Sequence, residues 1–220
     1  MKKIYPDSGV ELSPVISTFY DKIMDLLTLG KYKRFIIKAI ADMQIQTTDD
    51  ILDLGCGTGR NATLMRAYLE GGTILGLDIS KQMEKQFNQK FKNDKQVTFL
   101  NQRIDQPFVL AKKYDKILIS FVMHGLPNTA RVALINNAVS HLKPDGELCM
   151  LDYAEFSLNA MPFFHKLIFK MIECKYAFDY LKRDWKDLYK NVGLTEFTET
   201  FYLKKYVRLL KTRNKPTSLL

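Results

Sequence analysis

The chain has 220 residues, of which 46% are hydrophobic and 26% are charged, and its formal net charge is +9. This length suits one large domain with a substantial core, and no run of eighteen apolar residues is present that would predict a membrane-spanning helix. Its three cysteines are too far apart for metal-type pairs or a disulfide framework, so we expect no metal and a cytoplasmic setting. The first residues, MKKIYPDSGVELSP, have two lysines but no apolar core after them, so we expect no signal peptide.

Apolar residues recur at helical spacing in some segments and form short continuous runs in others. In chain order, this pattern first predicts helices over 12–43 with a break near Gly30, a strand over 51–54, a helix over 58–69, a strand over 73–79 and a helix over 81–92 capped by Ser80. It then predicts strands over 97–102 and 115–121, a helix over 128–142, and a turn and strand over 142–153. The last part of the pattern predicts a helical insertion over 157–183, a helix over 185–193, and two closing strands over 195–203 and 205–211. Too few residues separate the last two strands for a crossover helix, so we expect them to pair antiparallel.

The alternation of strand and helix predicts an α/β fold with a doubly wound, mainly parallel sheet of seven strands, including the closing antiparallel pair. No linker divides the chain, so we predict one domain over 1–220. Its expected parts are a helical cap, a ligand-binding core, a helical insertion after strand five and a closing helix with strands, over 1–45, 46–156, 157–183 and 184–220. In such sheets ligands bind beyond the carboxyl ends of the strands.

The stretch ILDLGCGTGR, over 51–60, places a glycine-rich turn directly after the first predicted strand. A triphosphate-binding loop would carry Lys and Ser or Thr after the last glycine, whereas this turn continues with Arg60 and Asn61. The glycine spacing also differs from the dinucleotide fingerprint, and Asp53 would repel a pyrophosphate. A carboxylate there suits a ligand that carries an ammonium group.

Asp78 ends the second predicted strand, where its carboxylate can accept hydrogen bonds from both hydroxyls of a ribose. A ligand that has a ribose and a charged amino-acid tail, but no phosphate, is S-adenosyl-L-methionine. The sequence therefore predicts this cofactor at the edge of the sheet.

ILDLGCGTGR followed by GLDIS resembles the cofactor signature of class I S-adenosylmethionine-dependent methyltransferases, whose fold is Rossmann-like. Within that class the chain resembles the ubiquinone and menaquinone biosynthesis methyltransferases and related small-molecule enzymes. The stretches that carry this similarity are FYDKIMDLLTLGKYKRFIIKAI, SFVMHGL, LKPDGELCMLDYAEF and KNVGLTEFTETFYL. The chain departs from the group in a short stretch before the last helix, where the quinone enzymes have a longer one with Arg and Tyr.

The resemblance implies a set of cofactor-binding residues at matching positions. They are Tyr20, Asp53, Gly55, Cys56, Gly57, Gly59, Asp78, Ile79, Gln102, Arg103, Ile104, Ser120 and Phe121. Asp53 and the backbone of the glycine turn would hold the amino-acid tail, and Asp78 would hold the ribose. Tyr20 would close over the cofactor or pack within its helix. Gln102 and Arg103 stand where the family usually has Asn or Asp followed by Ala.

An acidic acceptor, such as a phenol or an enol, needs a general base. His124, just after the fourth predicted strand, is the first candidate for that role, although it also fits a polar lid. Asp152 and Tyr153, at the end of the fifth strand, are further catalytic candidates. The aromatic and Met-rich insertion fits either a pocket wall for an apolar acceptor or a helix packed on the core.

We therefore expect methyl transfer to a small or lipid-like acceptor, such as a quinone-type ring. The basic, apolar stretches KYKRFIIK and KKYVRLLKTRNK fit peripheral contact with the inner face of a membrane, or lysine stems over a core. Because these stretches could bind a membrane, the closest alternative function is a phospholipid amine N-methyltransferase. A nucleic-acid methyltransferase is disfavoured because SFVMHGL lacks the Asn/Asp-Pro-Pro-aromatic motif, and a non-catalytic cofactor-binding protein is a further alternative. The sequence leaves the oligomeric state open.

Overall fold

The computed structural model of the protein describes residues 31–161, 163, 166–167, 169 and 173–214. The first of the two predicted cap helices, with Tyr20, lies outside these residues. The second is present as helix α1, Lys31–Asp42.

A seven-stranded sheet forms the centre of the protein. Its strands are β1 (Ile51–Leu54), β2 (Ile74–Asp78), β3 (Val97–Asn101), β4 (Tyr114–Ser120), β5 (Leu142–Tyr153), β6 (Thr195–Tyr202) and β7 (Val207–Arg213). Their spatial order is β3-β2-β1-β4-β5-β7-β6. Strands β1 to β5 are parallel, whereas β7 pairs antiparallel with both β5 and β6. The predicted fold class, including the closing antiparallel pair, is confirmed.

Five further α-helices complete the described fold, together with three short 3-10 turns. The helices are α2 (Arg60–Arg66), α3 (Lys81–Lys90), α4 (Asn128–His141), α5 (Lys175–Tyr180) and α6 (Trp185–Asn191), and the turns are Met123–Gly125, Leu158–Ala160 and Leu203–Lys205. Helix α2 begins two residues later than predicted, because Gly59 adopts a left-handed conformation with φ 76°. Of the predicted helical insertion, the described residues show one 3-10 turn, helical residues at 163, 166–167 and 169, and α5.

The helices cover the two faces of the sheet with separate apolar cores. Helices α1, α2 and α3 pack on one face, and α4, α5 and α6 pack on the other. Alternation along β4 explains this division, since Ile117 and Ile119 join one core while Leu118 joins the opposite one. Strand β1 is buried along its whole length, as a central parallel strand should be.

Because β7 pairs with β5, the end of the chain belongs to the same sheet as the glycine-rich core. The single domain over 1–220 and its four-part division stay predictions.

Phe87 supports the glycine-rich region from helix α3. Its side chain is fully buried, and a Cβ atom built on Gly59 or Gly76 would lie 2.7 or 2.9 Å from its ring. Ser80 starts this helix, because its side chain accepts a hydrogen bond from the Met83 N–H. The two glycines therefore leave the space that the Phe87 ring fills.

Replacing Phe87 by Ala should lower the free energy of unfolding by about 3–5 kcal/mol, because the lost ring leaves a cavity that the backbone cannot fill. Urea denaturation followed by circular dichroism measures this change. Leu100→Ala is the control, since that side chain is 39% exposed and its loss should cost less than about 1 kcal/mol. Equal losses for the two variants would contradict this role of the ring.

Candidate cofactor and acceptor site

The carboxyl ends of β1, β2, β4 and β5 meet at one edge of the sheet. Asp53 lies in β1 one residue before its end, Asp78 ends β2, Ser120 ends β4, and Asp152 lies at the end of β5. The structure thus gathers at one edge most of the residues that the sequence selected.

The glycine-rich turn after β1 has a backbone that most other residues would not adopt. Gly55, Gly57 and Gly59 have φ values of 83°, 53° and 76°. A Cβ on Gly55 would lie 2.4 Å from a methyl group of Val122, whereas one on Gly57 would meet no atom within 4 Å. Gly55 thus permits close packing, and Gly57 opens the turn to a ligand. Between them, Cys56 is buried, and its backbone N–H donates to the Leu77 carbonyl at 3.1 Å.

Asp53 has no exposed surface, and neither of its carboxylate oxygens has a hydrogen-bond partner among the described residues. Burial, together with the nearby Asp78, raises the pKa of this carboxyl from 3.8 to about 7. The contribution of the protonated Asp53 carboxyl to the free energy of unfolding is thus fully present below pH 3.8 and is lost as the pH rises through about 7. A ligand with an ammonium group would relieve that cost by pairing with the ionised form.

Asp78 is held toward the glycine turn by two backbone donors. The Gly57 N–H donates to Oδ2 at 3.0 Å, and the Ser80 N–H donates to Oδ1 at 2.9 Å. Burial nevertheless raises the pKa of this carboxyl. Each oxygen keeps accepting capacity for a hydroxyl group. An unpartnered acid, an open glycine turn and a second oriented acid together fit the amino-acid and ribose parts of S-adenosylmethionine.

The residues predicted beside the adenine follow β2 and β3. Ile79 follows Asp78 directly, and the Gln102 N–H donates to the Asp78 carbonyl at 3.1 Å. Arg103 forms an ion pair with the nearly buried Asp105 at 2.6 Å. The carbonyl of Ile104 accepts from the Asn137 side chain at 2.8 Å. The turn after β3 is therefore fixed by its own polar contacts, with the Arg103 guanidinium paired to Asp105.

Phe121 follows Ser120 and links the cap helix to the end of β5. It has a positive φ of 53°, and its N–H donates to the Leu151 carbonyl at 2.8 Å. Its ring lies 6.0 Å from Phe35 of α1 and 6.1 Å from Tyr153. An aromatic cluster thus covers the end of β4 from two sides.

Tyr32 contacts the site, although the sequence analysis did not select it. Its ring lies 6.1 Å from Phe121 and 4.8 Å from the guanidinium carbon of Arg60, the first residue after the glycine turn. This cation–π contact packs α1 over the turn. The stretch KYKRFIIK indicated charge and amphipathicity, but nothing in it identified the partner 28 residues later.

His124 lies between two carboxylates. Its Nδ1 is 2.7 Å from Asp152 Oδ1, its backbone N–H donates to Oδ2 at 3.2 Å, and its Nε2 is 3.7 Å from Glu173 Oε2. The Tyr153 hydroxyl donates to Glu173 Oε1 at 2.6 Å. The structure thus brings the three catalytic candidates into one network and adds Glu173, which the sequence analysis did not select. Glu173 is the only acid between residues 157 and 178. A single acid within a largely apolar insertion was the one feature of the sequence that could have identified it.

Although burial lowers the pKa of His124, the two carboxylates raise it. Burial alone would lower its pKa, but Asp152, and then Glu173 and Cys174, raise it from 6.5 to about 9. The contribution of the protonated His124 ring to the free energy of unfolding is fully present below pH 6.5 and is lost as the pH rises through about 9. At neutral pH the ring is therefore an imidazolium between two acids.

Comparison with known proteins agrees with this geometry. Residues 51–146 match a family model described as a methyltransferase domain. The chain is 27% identical over 159 residues to a demethylmenaquinone methyltransferase of Staphylococcus carnosus and 26% identical over 148 residues to that of Lactiplantibacillus plantarum. These matches cover 71% and 66% of this chain but 65% and 62% of the relatives, less than two thirds of their length.

Solved structures show the same fold. A TehB-like S-adenosylmethionine-dependent methyltransferase of Corynebacterium glutamicum aligns with a TM-score of 0.63 at 18% identity, covering 93% of this chain and all of that one. Residues 51–146 thus match a methyltransferase domain, and the sheet has the fold of S-adenosylmethionine-dependent methyltransferases. The chain resembles the menaquinone group within that class, which confirms the resemblance predicted from its sequence. Among the described residues, no helix is long and apolar enough to span a bilayer.

Asp78→Asn should weaken binding of S-adenosylhomocysteine by roughly 1–3 kcal/mol, because the amide has one acceptor oxygen in place of two. Isothermal titration calorimetry measures the change. Asp94→Asn is a matched control, because Asp94 pairs with Arg66 at 2.7 Å and is not part of the site. Unchanged affinity in the Asp78 variant would contradict the placement of the ribose.

Proposed function

We propose that the chain transfers the methyl group of S-adenosylmethionine to a small, apolar acceptor with an acidic proton, such as a quinol or phenol. The observation that carries this proposal is the network of His124, Asp152, Glu173 and Tyr153 at the edge that also carries the glycine turn. The names of the demethylmenaquinone methyltransferases support a quinone-type ring.

The cofactor side of the site would bind by charge and by hydrogen bonds. Asp53 would pair with the ammonium group, the open backbone at Gly57 would allow close approach, and Asp78 would accept from the ribose hydroxyls. When bound, S-adenosylmethionine supplies an activated, electrophilic methyl group. The protein then has to align the acceptor and keep water out.

The acceptor side is lined by aromatic rings. Tyr153 contacts Phe121 at 6.1 Å, His124 at 4.9 Å and Phe169 at 5.2 Å, measured between ring centres. Phe169 is 8% exposed and belongs to the predicted insertion. Rings on several sides favour a flat, apolar acceptor, with the acid–histidine network at its polar edge.

His124 would remove the acceptor proton as methyl transfer proceeds. Asp152 binds Nδ1 and so leaves Nε2 directed toward the acceptor side, where Glu173 Oε2 is 3.7 Å away. The accepting nitrogen must first lose its own proton, which its raised pKa opposes at neutral pH. The rate should therefore increase with pH.

A phospholipid amine at a membrane surface is the second candidate acceptor. One observation favours it: Ile37 on the outer side of α1 is 43% exposed and lies among the exposed Lys33, Arg34 and Lys38. Sedimentation with vesicles that contain phosphatidylglycerol, comparing wild type with Ile37→Asp, tests this candidate. Equal binding of the two proteins, or none, would count against it.

His124→Gln should lower kcat by roughly 10²–10⁴ while the affinity for S-adenosylhomocysteine changes by less than about twofold. The wild-type kcat should rise about tenfold per pH unit from pH 7 and level off near pH 9, because the neutral imidazole increases over that range. Transfer of labelled methyl groups to demethylmenaquinol and to simple naphthols provides the assay.

His141→Gln is the control, since His141 stacks on Phe108 and accepts from the Leu110 N–H, outside the network. A flat pH profile, or full activity of the His124 variant, would exclude His124 as the base. No transfer to any quinol or phenol would exclude the proposed acceptor class.

A further inference from the structure

Arg131 is a completely buried cation outside the residues considered so far. From helix α4, its Nε donates to the Met123 carbonyl at 2.9 Å, and its Nη2 donates to the Tyr176 carbonyl at 2.6 Å. Its Nη1 forms an ion pair with Asp179 at 2.7 Å. A longer contact of 3.4 Å joins Nη2 to the His124 carbonyl. One guanidinium thus joins the turn that carries His124 to helix α5.

The surroundings of Arg131 require an arginine in particular. Its guanidinium carbon lies 5.2 Å from the centre of the Tyr180 ring and 5.6 Å from that of Trp185. A planar fork with five donors can stack on rings and bind several carbonyls together, whereas a lysine offers one ammonium group. Burying such a charge is costly unless its partners are well placed. The free-energy cost of burying this guanidinium suggests that Arg131 has a role besides packing.

The two segments that Arg131 joins are those that meet at the acid–histidine network. The 3-10 turn Met123–Gly125 carries His124, and α5 begins two residues after Glu173. No hydrogen bond between Glu173 and the His124 ring fixes their spacing, since His124 Nε2 and Glu173 Oε2 are 3.7 Å apart. Their separation therefore depends on the Tyr153 hydroxyl, which binds Glu173 Oε1 at 2.6 Å, and on how α5 is held against the turn.

We propose that Arg131 is a positioning residue that holds the segment carrying Glu173 against the turn carrying His124. The proposal rests on the proposed role of His124, but its first test requires no methyl transfer. The titratable groups that face His124 are Asp152 and Tyr153 from β5, and Glu173 and Cys174 from the segment before α5. The contacts of Arg131 with α5 act on the last two, of which Glu173 is also bound by the Tyr153 hydroxyl.

The experiment measures the pKa of His124 by NMR titration of the ligand-free protein. In Arg131→Lys it should fall by roughly one unit, because Glu173 and Cys174 are no longer held close while Asp152 stays in place. With an accepted substrate, the rise of kcat with pH should move to lower pH by the same roughly one unit, because the neutral imidazole forms earlier, while the affinity for S-adenosylhomocysteine changes by less than about twofold. Glu173→Gln should lower the same pKa, and adding Arg131→Lys to it should lower the pKa little further.

Arg183→Met is the matched control. Arg183 also binds the Asp179 carboxylate, at 2.8 and 3.0 Å, but the structure shows no hydrogen bond from it to the His124 turn. This variant should leave the pKa of His124 unchanged. If Arg131→Lys does not fold, Asp179→Asn keeps the arginine, removes its ionic partner on α5, and should lower the pKa in the same direction.

An unchanged pKa in a folded Arg131→Lys or Asp179→Asn variant would overturn the proposal, and so would an equal shift in Arg183→Met. A protein that methylates no acceptor yet shows the expected pKa shifts would contradict the proposed function and leave the positioning role of Arg131 standing.

Discussion

Asp53 sets the main constraint on this structure, because its carboxylate is fully buried at the end of a fully buried strand and has no hydrogen-bond partner among the described residues. An ionised carboxylate in such a place is unfavourable unless a cation compensates it. The protein places a second acid, Asp78, nearby, which makes the uncompensated state still less favourable. These features are costs in the ligand-free protein and become favourable when a ligand brings an ammonium group and hydroxyls. The cofactor edge is thus organised for a zwitterionic nucleoside.

At the acceptor side, by contrast, the two acids already lie beside a cationic partner. There a histidine lies between two carboxylates, and Tyr153 donates to one of them. The turn after β4 supplies the histidine, β5 supplies Asp152, and the segment before α5 supplies Glu173. Residues 173–180 thus place an acid beside His124 as well as packing on the core, which goes beyond the pocket wall or packed helix predicted from their aromatic composition. The aromatic cluster around Phe121 connects this network with helix α1.

The parts of the structure that the sequence predicted are those that depend on local chemistry. Apolar runs predicted all seven strands, and Ser80 predicted the start of α3. Asp53 and the glycines were selected from the glycine spacing and from the carboxylate that precedes it. Glu173, Arg131 and Tyr32 were missed because each has a partner at least 28 residues away, which is His124, Asp179 and Arg60 respectively. No local periodicity encodes such contacts. The start of α2 was misplaced by two residues, because the left-handed conformation of Gly59 depends on the Phe87 and Phe91 rings packed beside it.

The most direct test of the central claim counts the protons released when S-adenosylhomocysteine binds at pH 7, using calorimetry in two buffers that differ in ionisation enthalpy. With a pKa of about 7, Asp53 is half protonated in the free protein, and pairing with an ammonium group would ionise it fully. The wild type should therefore release roughly half a proton more than Asp53→Asn, and should bind more tightly. Equal proton counts and equal affinities for the two proteins would contradict the account.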